Sequence, residues 1–101
     1  MIIAVVGSGG KTTLIKKLAS EYRAQGKTVL VTTSTHMFIE EDTLLTDDAN
    51  TIIQSIKETG FAMAGVPEGI KIKALSKETF DFVCTHVDVI LVEADGSKCM
   101  P

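Results

Sequence analysis

Cysteine is scarce in this chain, and its scarcity excludes two classes of scaffold. Cys84 and Cys99 stand far apart, in no metal-ligand spacing, and could form at most one isolated pair. A disulfide-stapled fold and a cysteine-built zinc site are therefore both excluded. Long hydrophobic runs are missing too. The opening Met1-Ile2-Ile3-Ala4-Val5-Val6 is apolar, but it is far too short for a membrane span, and no basic residues precede it as they would in a signal peptide. A dense Lys/Arg cluster is also lacking. The net charge is -3, and the lysines at 11, 16, 17 and 27 share one loop–helix unit, which suits a phosphate better than a duplex. Neither nucleic acid nor a membrane is an expected partner, and a reducing cytoplasm is the expected location. No repeat or low-complexity segment interrupts the chain.

What is present is the pattern of one α/β domain. With 101 residues, 45% of them hydrophobic, the chain can bury a single core and is read as one domain spanning 1–101. A short apolar run at 2–6 predicts a buried parallel strand. Helical periodicity takes over from Lys11 to about Ala24, with Leu14, Leu18 and Tyr22 as one stripe, Ile15 and Ala19 beside it, and Gly26 as the stop. A second strand is expected at 28–33 and a loop at 34–46. A helix capped by Asp47 or Asp48 should run to about Lys57, ahead of Gly60. A β-hairpin is expected at 61–75, turning at Pro67-Glu68-Gly69. Ser76 should cap a third helix through Thr85, with Phe80, Val83 and Cys84 facing in, and the last strand should cover 87–93. Alternating strands and helices imply a mainly parallel sheet in a three-layer fold like that of P-loop NTPases. The sequence stops soon after that strand, so the expectation is the N-terminal part of a longer protein.

The most informative stretch is Gly7-Ser8-Gly9-Gly10-Lys11-Thr12-Thr13, set between the first strand and the first helix. Glycines let the backbone turn its N–H groups inward and approach an anion closely. The helix N-terminus adds free donors and the positive end of its dipole. Lys11 supplies a charge for β- and γ-phosphates, Thr12 a hydroxyl for magnesium, and Thr13 a hydroxyl for the α- or β-phosphate. The usual spacing G-x-x-x-x-G-K-[ST] is shortened here, because Val5 holds its first glycine position. Similar short loops occur in Mur-type amide ligases. The dinucleotide pattern G-x-G-x-x-G fails at Thr12.

Two further segments converge on the same sheet edge in this reading. Val89-Ile90-Leu91-Val92-Glu93 is an apolar strand ending in an acid, and ligands of open α/β sheets bind beyond the carboxyl ends of their strands. Glu93 is read as a magnesium ligand with Thr12, and Asp95 as a group that touches a metal-bound water or activates a nucleophile. Thr32-Thr33-Ser34-Thr35-His36 leaves the second strand there. Thr33 is a candidate for a γ-phosphate or its metal, and His36 for proton transfer or phosphate contact. Lys98 and Cys99 follow the acidic turn without a pattern that assigns them chemistry.

These three motifs, in this order, resemble the selenium-dependent hydroxylase accessory proteins. The resemblance rests on Val5-Val6-Gly7-Ser8-Gly9-Gly10-Lys11-Thr12-Thr13-Leu14-Ile15, Thr32-Thr33-Ser34-Thr35-His36 and Leu91-Val92-Glu93-Ala94-Asp95-Gly96-Ser97-Lys98. It implies a nucleotide-binding protein that serves the maturation of molybdenum hydroxylases, with such an enzyme or its cofactor as partner. The residues themselves point to a magnesium-dependent site for ATP or GTP. No Asn/Thr-Lys-x-Asp guanine-reading motif occurs, which tilts the choice toward ATP. An NTPase, a non-catalytic nucleotide switch, and a small-molecule kinase or amide ligase all remain open on this pattern.

Overall fold

The computed structural model of the protein describes residues 1–5, 11–39, 41 and 43–94, with Lys11, Thr12 and Phe38 described through their backbone alone. Seven strands and three helices occur among the described residues. They are β1 (Ile2–Val5), α1 (Lys11–Ala24), β2 (Val29–Thr33), β3 (His36–Phe38), β4 (Leu44–Leu45), α2 (Ala49–Thr59), β5 (Phe61–Glu68), β6 (Lys71–Lys73), α3 (Lys77–Cys84) and β7 (Val89–Glu93). The sheet runs β1-β7-β2-β5-β6-β3, with β4 pairing β5. Its β1–β7, β7–β2, β2–β5 and β4–β5 pairs are parallel, and β5–β6 and β6–β3 are antiparallel. The expected α/β class with a mostly parallel sheet is what forms.

Strand alternation distributes the core into two layers. Val29, Val31, Val89 and Leu91 share one cluster with Ile15 and Ala19 of α1. Leu30, Ile90 and Val92 share the other with Ile52, Ile53 and Ile56 of α2 and Val83 of α3. Every residue of β2 and β7 is buried, as expected of parallel strands covered on both faces. The stripe on α1 is rotated from the sequence expectation. Ile15 and Ala19 form its buried line, Leu18 and Tyr22 flank them, and Leu14 is 46% exposed. The buried line of α1 is thus Ile15 and Ala19, one position round the helix from Leu14.

The segment expected as a loop at 34–46 holds two short strands instead. β3 pairs β6 and β4 pairs β5, so both owe their form to partners remote in sequence rather than to local propensity. The hairpin also differs in detail. Pro67 and Glu68 belong to β5, and the reversal falls on Gly69 and Ile70. Gly69 has φ 64°, a left-handed conformation that glycine adopts without steric cost. α2 starts after Asp48, whose carboxylate accepts from the Thr51 hydroxyl at 2.6 Å, and ends at Gly60. Asp47 does a different job, since its Oδ1 accepts from the backbone N–H of Ser76 at 2.9 Å and its carbonyl from Thr79 Oγ1 at 2.7 Å. Ser76 caps α3, accepting from the Thr79 amide at 3.3 Å.

A clamp fixes β7 against β2 at their amino ends. Asp88 Oδ2 accepts from Thr28 N at 2.9 Å and Thr28 Oγ1 at 3.1 Å, while Asp88 N donates to Thr28 Oγ1 at 2.9 Å. The Thr28 amide, then its hydroxyl, holds the Asp88 carboxyl below its ordinary value. A depressed folded pKa means the clamp contributes fully above the ordinary carboxylate value of 3.8 and is lost as pH falls through the lower folded one. Acid titration followed by circular dichroism should therefore show a shallower loss of stability in Asp88→Asn than in the parent chain. A second expectation concerns packing. A Cβ on Gly65 would lie 2.7 Å from Ile72 Cδ1 and 2.9 Å from the Lys73 carbonyl oxygen. Gly65→Ala should cost roughly 1–3 kcal/mol in urea denaturation, because backbone on the adjoining strand has to move.

Candidate functional site

The site candidates gather where β1, β7 and β2 end. In the parallel register Val5 stands beside Glu93, and Glu93 beside Thr33. Val5 is the last residue of β1 and Lys11 the first of α1, so β1 ends next to Glu93 and α1 is the next described element. Val89 and Leu91 belong to the core layer of α1. By the two-residue period of a strand, Glu93 projects to that same face, toward the side on which α1 begins. The first turn of α1 contains no acidic residue, so the positive end of its dipole is not offset by the helix's own side chains.

Glu93 is 7% exposed. Its backbone is held tightly: the carbonyl accepts from Thr33 Oγ1 at 2.9 Å and from Ser34 N at 3.0 Å, and Ala94 N donates to the Val5 carbonyl at 3.0 Å. Thr33 is buried, and its hydroxyl also accepts from Thr35 N at 3.1 Å. One residue earlier, Thr32 Oγ1 donates to the Ala64 carbonyl at 2.8 Å. The two threonines thus fasten the end of β2 to both of its neighbours, beyond the last backbone pairing of β2 with β5 at Val31 and Met63. No buried side-chain nitrogen or oxygen among the described residues lacks a hydrogen-bond partner.

The predicted site residues therefore fall into three groups. Thr33 and Glu93 are brought together, with Thr13 in the first turn of α1. His36 lies on β3, and its Nε2 is 3.5 Å from Glu68 Oε2, which also meets Lys73 Nζ at 3.7 Å. It is engaged by the β5–β6 hairpin rather than by Thr33 or Glu93. Gly7, Ser8, Gly9, Gly10 and Asp95 lie outside the described residues, as do the side chains of Lys11 and Thr12. Lys98 and Cys99 lie outside them as well. The hydroxyl of Thr33, expected at a phosphate or its metal, donates to the Glu93 carbonyl. The sequence reading missed this positioning role, although paired threonines at a strand end were its signal. It also gave no role to Leu75, Phe80 or Val92. Three separate segments bring them to this same edge, and their local pattern is that of ordinary core.

No group of three or more His, Cys, Asp or Glu side chains able to hold a metal occurs among the described residues. A cavity of about 580 Å³ lies elsewhere, between Lys16, Ser20 and Arg23 on α1 and Phe61 and Met63 on β5. The Arg23 guanidinium sits 5.2 Å from the centre of the Phe61 ring and donates to the Thr59 carbonyl at 3.3 Å. Phe61 opens β5 and Arg23 lies in the last turn of α1, so this cavity sits at the amino edge of the sheet, away from Glu93. No helix among the described residues is long and apolar enough to cross a membrane.

Residues 3–101 match the family model described as YqeC protein. The chain is 37% identical over 111 residues to "Uncharacterized protein YqeC" of Escherichia coli (strain K12), an alignment that covers 99% of this chain and 42% of the relative. The chain therefore spans less than half the length of that curated relative. No solved structure matches. These findings overturn the resemblance to selenium-dependent hydroxylase accessory proteins: the family and the relative are both described as YqeC, and neither description names selenium, a hydroxylase or a P-loop. The Thr33 geometry gives a prediction independent of any ligand. Thr33→Val keeps shape but removes the hydroxyl from the Glu93 carbonyl, and should cost roughly 1 kcal/mol in urea denaturation while leaving the chain folded.

Proposed function

The chain belongs to the YqeC protein family, and we propose that it binds the magnesium complex of ATP or GTP at the carboxyl edge of its sheet and acts on the γ-phosphate. The observation that carries this reading is the register that sets Glu93, buried at the end of β7, beside Val5, the last residue of β1 and two residues before Gly7. A strand, a Gly-rich turn with Lys-Thr, a helix start free of acids, and a neighbouring strand that ends in a carboxylate are the parts of a P-loop NTPase-like fold.

In this reading the amides of Gly7, Ser8, Gly9 and Gly10 and the start of α1 hold the phosphates. Lys11 neutralises the β- and γ-oxygens, and Thr13 bonds the α- or β-phosphate. Thr12 and Glu93 are the residues that would hold magnesium, which supplies charge neutralisation across the β- and γ-phosphates. Thr33 positions Glu93 through its backbone carbonyl, and Asp95 orients the attacking group. His36, engaged by Glu68, has no part in it. Phosphoryl chemistry asks a protein mainly for positioning and electrostatics, and a loop of amides with one lysine and one fixed carboxylate meets that demand.

Calorimetric titration with ATP and GTP, with and without magnesium, tests the reading. Lys11→Ala should weaken binding at least about tenfold, or roughly 1.4 kcal/mol. Glu93→Gln should remove the magnesium contribution and leave metal-free nucleotide binding intact. Absence of binding in both this chain and the longer Escherichia coli relative would overturn the proposal.

A further inference from the structure

On the opposite face of the same sheet edge lies a cavity of about 300 Å³. Its floor is Thr33 and Val92, the residue bonded to the Glu93 carbonyl and the residue preceding Glu93. Its walls are Ala74, Leu75 and Phe80, with Ser34 and Lys77 also lining it. Val92 and Leu75 belong to the core layer of α2 and α3, with Phe80 packed against it, so the cavity is a gap in that layer open at the strand ends. Its wall is braced. The Asp47 bonds to Ser76 N and Thr79 Oγ1 tie the start of α3 to the segment that precedes α2.

The lining restricts what can bind. Thr33, the buried polar residue at its edge, belongs by strand alternation to the face of Val29 and Val31 and has its hydroxyl committed to Glu93 and Thr35, so the interior recognises apolar surface and shape. The charged group is Lys77, whose side chain is 88% exposed and whose partner Asp81, at 2.8 Å, is 58% exposed. Exposed pairs of this kind are worth little and yield readily to a ligand. An apolar body with an anionic head fits this arrangement. The volume is at the lower end of the range for small-molecule pockets.

We propose that this cavity is a second binding site, for a small apolar acid, and that its occupant is the molecule presented to the reacting end of the nucleotide. The second clause rests on the nucleotide reading given above. A molecule on Val92 and Thr33 lies within one residue of the carboxylate assigned to magnesium, hence at the γ-phosphate end. The nucleobase is separated from that end by the ribose and the whole phosphate chain, so it is not the group this cavity receives. Val92 and Glu93 point to opposite faces. A molecule reaching from the cavity over the strand end therefore approaches the phosphates from the side opposite α1.

The probe is 8-anilinonaphthalene-1-sulfonate, an apolar aromatic anion whose fluorescence reports binding to this chain. One saturable site is expected. Ala74→Trp fills the cavity and should weaken dye binding at least about tenfold, and Lys77→Glu should weaken it about threefold or more. Phe82→Ser, at a 48% exposed residue of α3 outside the cavity, should leave it unchanged. Loss of dye binding in Phe82→Ser, or its survival in both Ala74→Trp and Lys77→Glu, overturns the site; Lys77→Glu, at the surface, keeps the test decisive should Ala74→Trp fail to fold. Saturating magnesium adenosine 5′-thiotriphosphate, or its guanine counterpart, should shift dye affinity about threefold or more if the two sites adjoin. No shift despite nucleotide binding removes the link to the reacting end. If the nucleotide itself does not bind, the nucleotide reading fails with that link, and the dye series still decides the cavity.

Discussion

The structure depends on the register of one strand. β7 lies between β1 and β2 with both faces covered, and its placement is secured at both ends by side chains rather than by the backbone ladder alone. Asp88 and Thr28 exchange three hydrogen bonds at the start, and the Thr33 hydroxyl meets the Glu93 carbonyl at the finish. A slip of one residue would exchange the faces of Val92 and Glu93. The carboxylate would then enter a layer built of Leu30, Ile52, Ile56 and Val83, where an unpaired charge is very costly. The hydrophobic alternation and the terminal clamps therefore specify the same register, and that register is what sets Glu93 beside Val5 at the end of β1.

From this follows an asymmetry between the two faces of the sheet edge. On the α1 side, the strand ends meet a helix start without acids and a buried glutamate, an environment suited to an anion and its counter-cation. On the α3 side, the same strand ends present Val92 beside Leu75 and Phe80, an environment suited to apolar matter. The two differ because consecutive strand residues face opposite ways, and the chain places a charged residue directly after an apolar one. Chemistry that joins a phosphate compound to a less polar molecule needs both environments within a few ångströms. A parallel strand that ends in Val-Glu supplies them in two residues.

The parallel sheet, the three helices and the main hairpin were legible in the sequence because each rests on local periodicity or on a turn residue with a specific backbone role. Ser76, Gly60 and the apolar runs of β2 and β7 are of that kind. β3 and β4 were not legible, since three and two residues carry too little pattern, and only pairing with β6 and β5 defines them. Leu14 shows the same limit on a helix: its apolar character is visible, but the width of the buried face is set by the strands beneath. The position of Glu93 at the end of β7 was readable from an apolar strand ending in an acid. The use of the Thr33 hydroxyl was not, because a threonine at a strand end serves equally as donor to a ligand or to its neighbour. His36 was read from residue type and adjacency to Thr33, whereas β3 turns it toward Glu68 through a pairing with β6 that no local signal reveals.

Binding and turnover make separate demands on this arrangement. Holding a magnesium nucleotide, as proposed, requires donors, a cation and a fixed carboxylate, and of these the described residues contain the carboxylate, Glu93 at the end of β7. Turnover further requires a group that orients or deprotonates the attacking molecule within hydrogen-bond reach. Glu93 cannot serve both as metal ligand and as that group without losing one function, and the His36 ring is held by the hairpin. In the proposed reading that role is assigned to Asp95, two residues after Glu93 in the sequence. A protein in which binding depends on Glu93 and turnover on Asp95 would lose the two properties separately on substitution, and that separation distinguishes an enzyme from a nucleotide-dependent switch more sharply than the presence of the glycine-rich loop does.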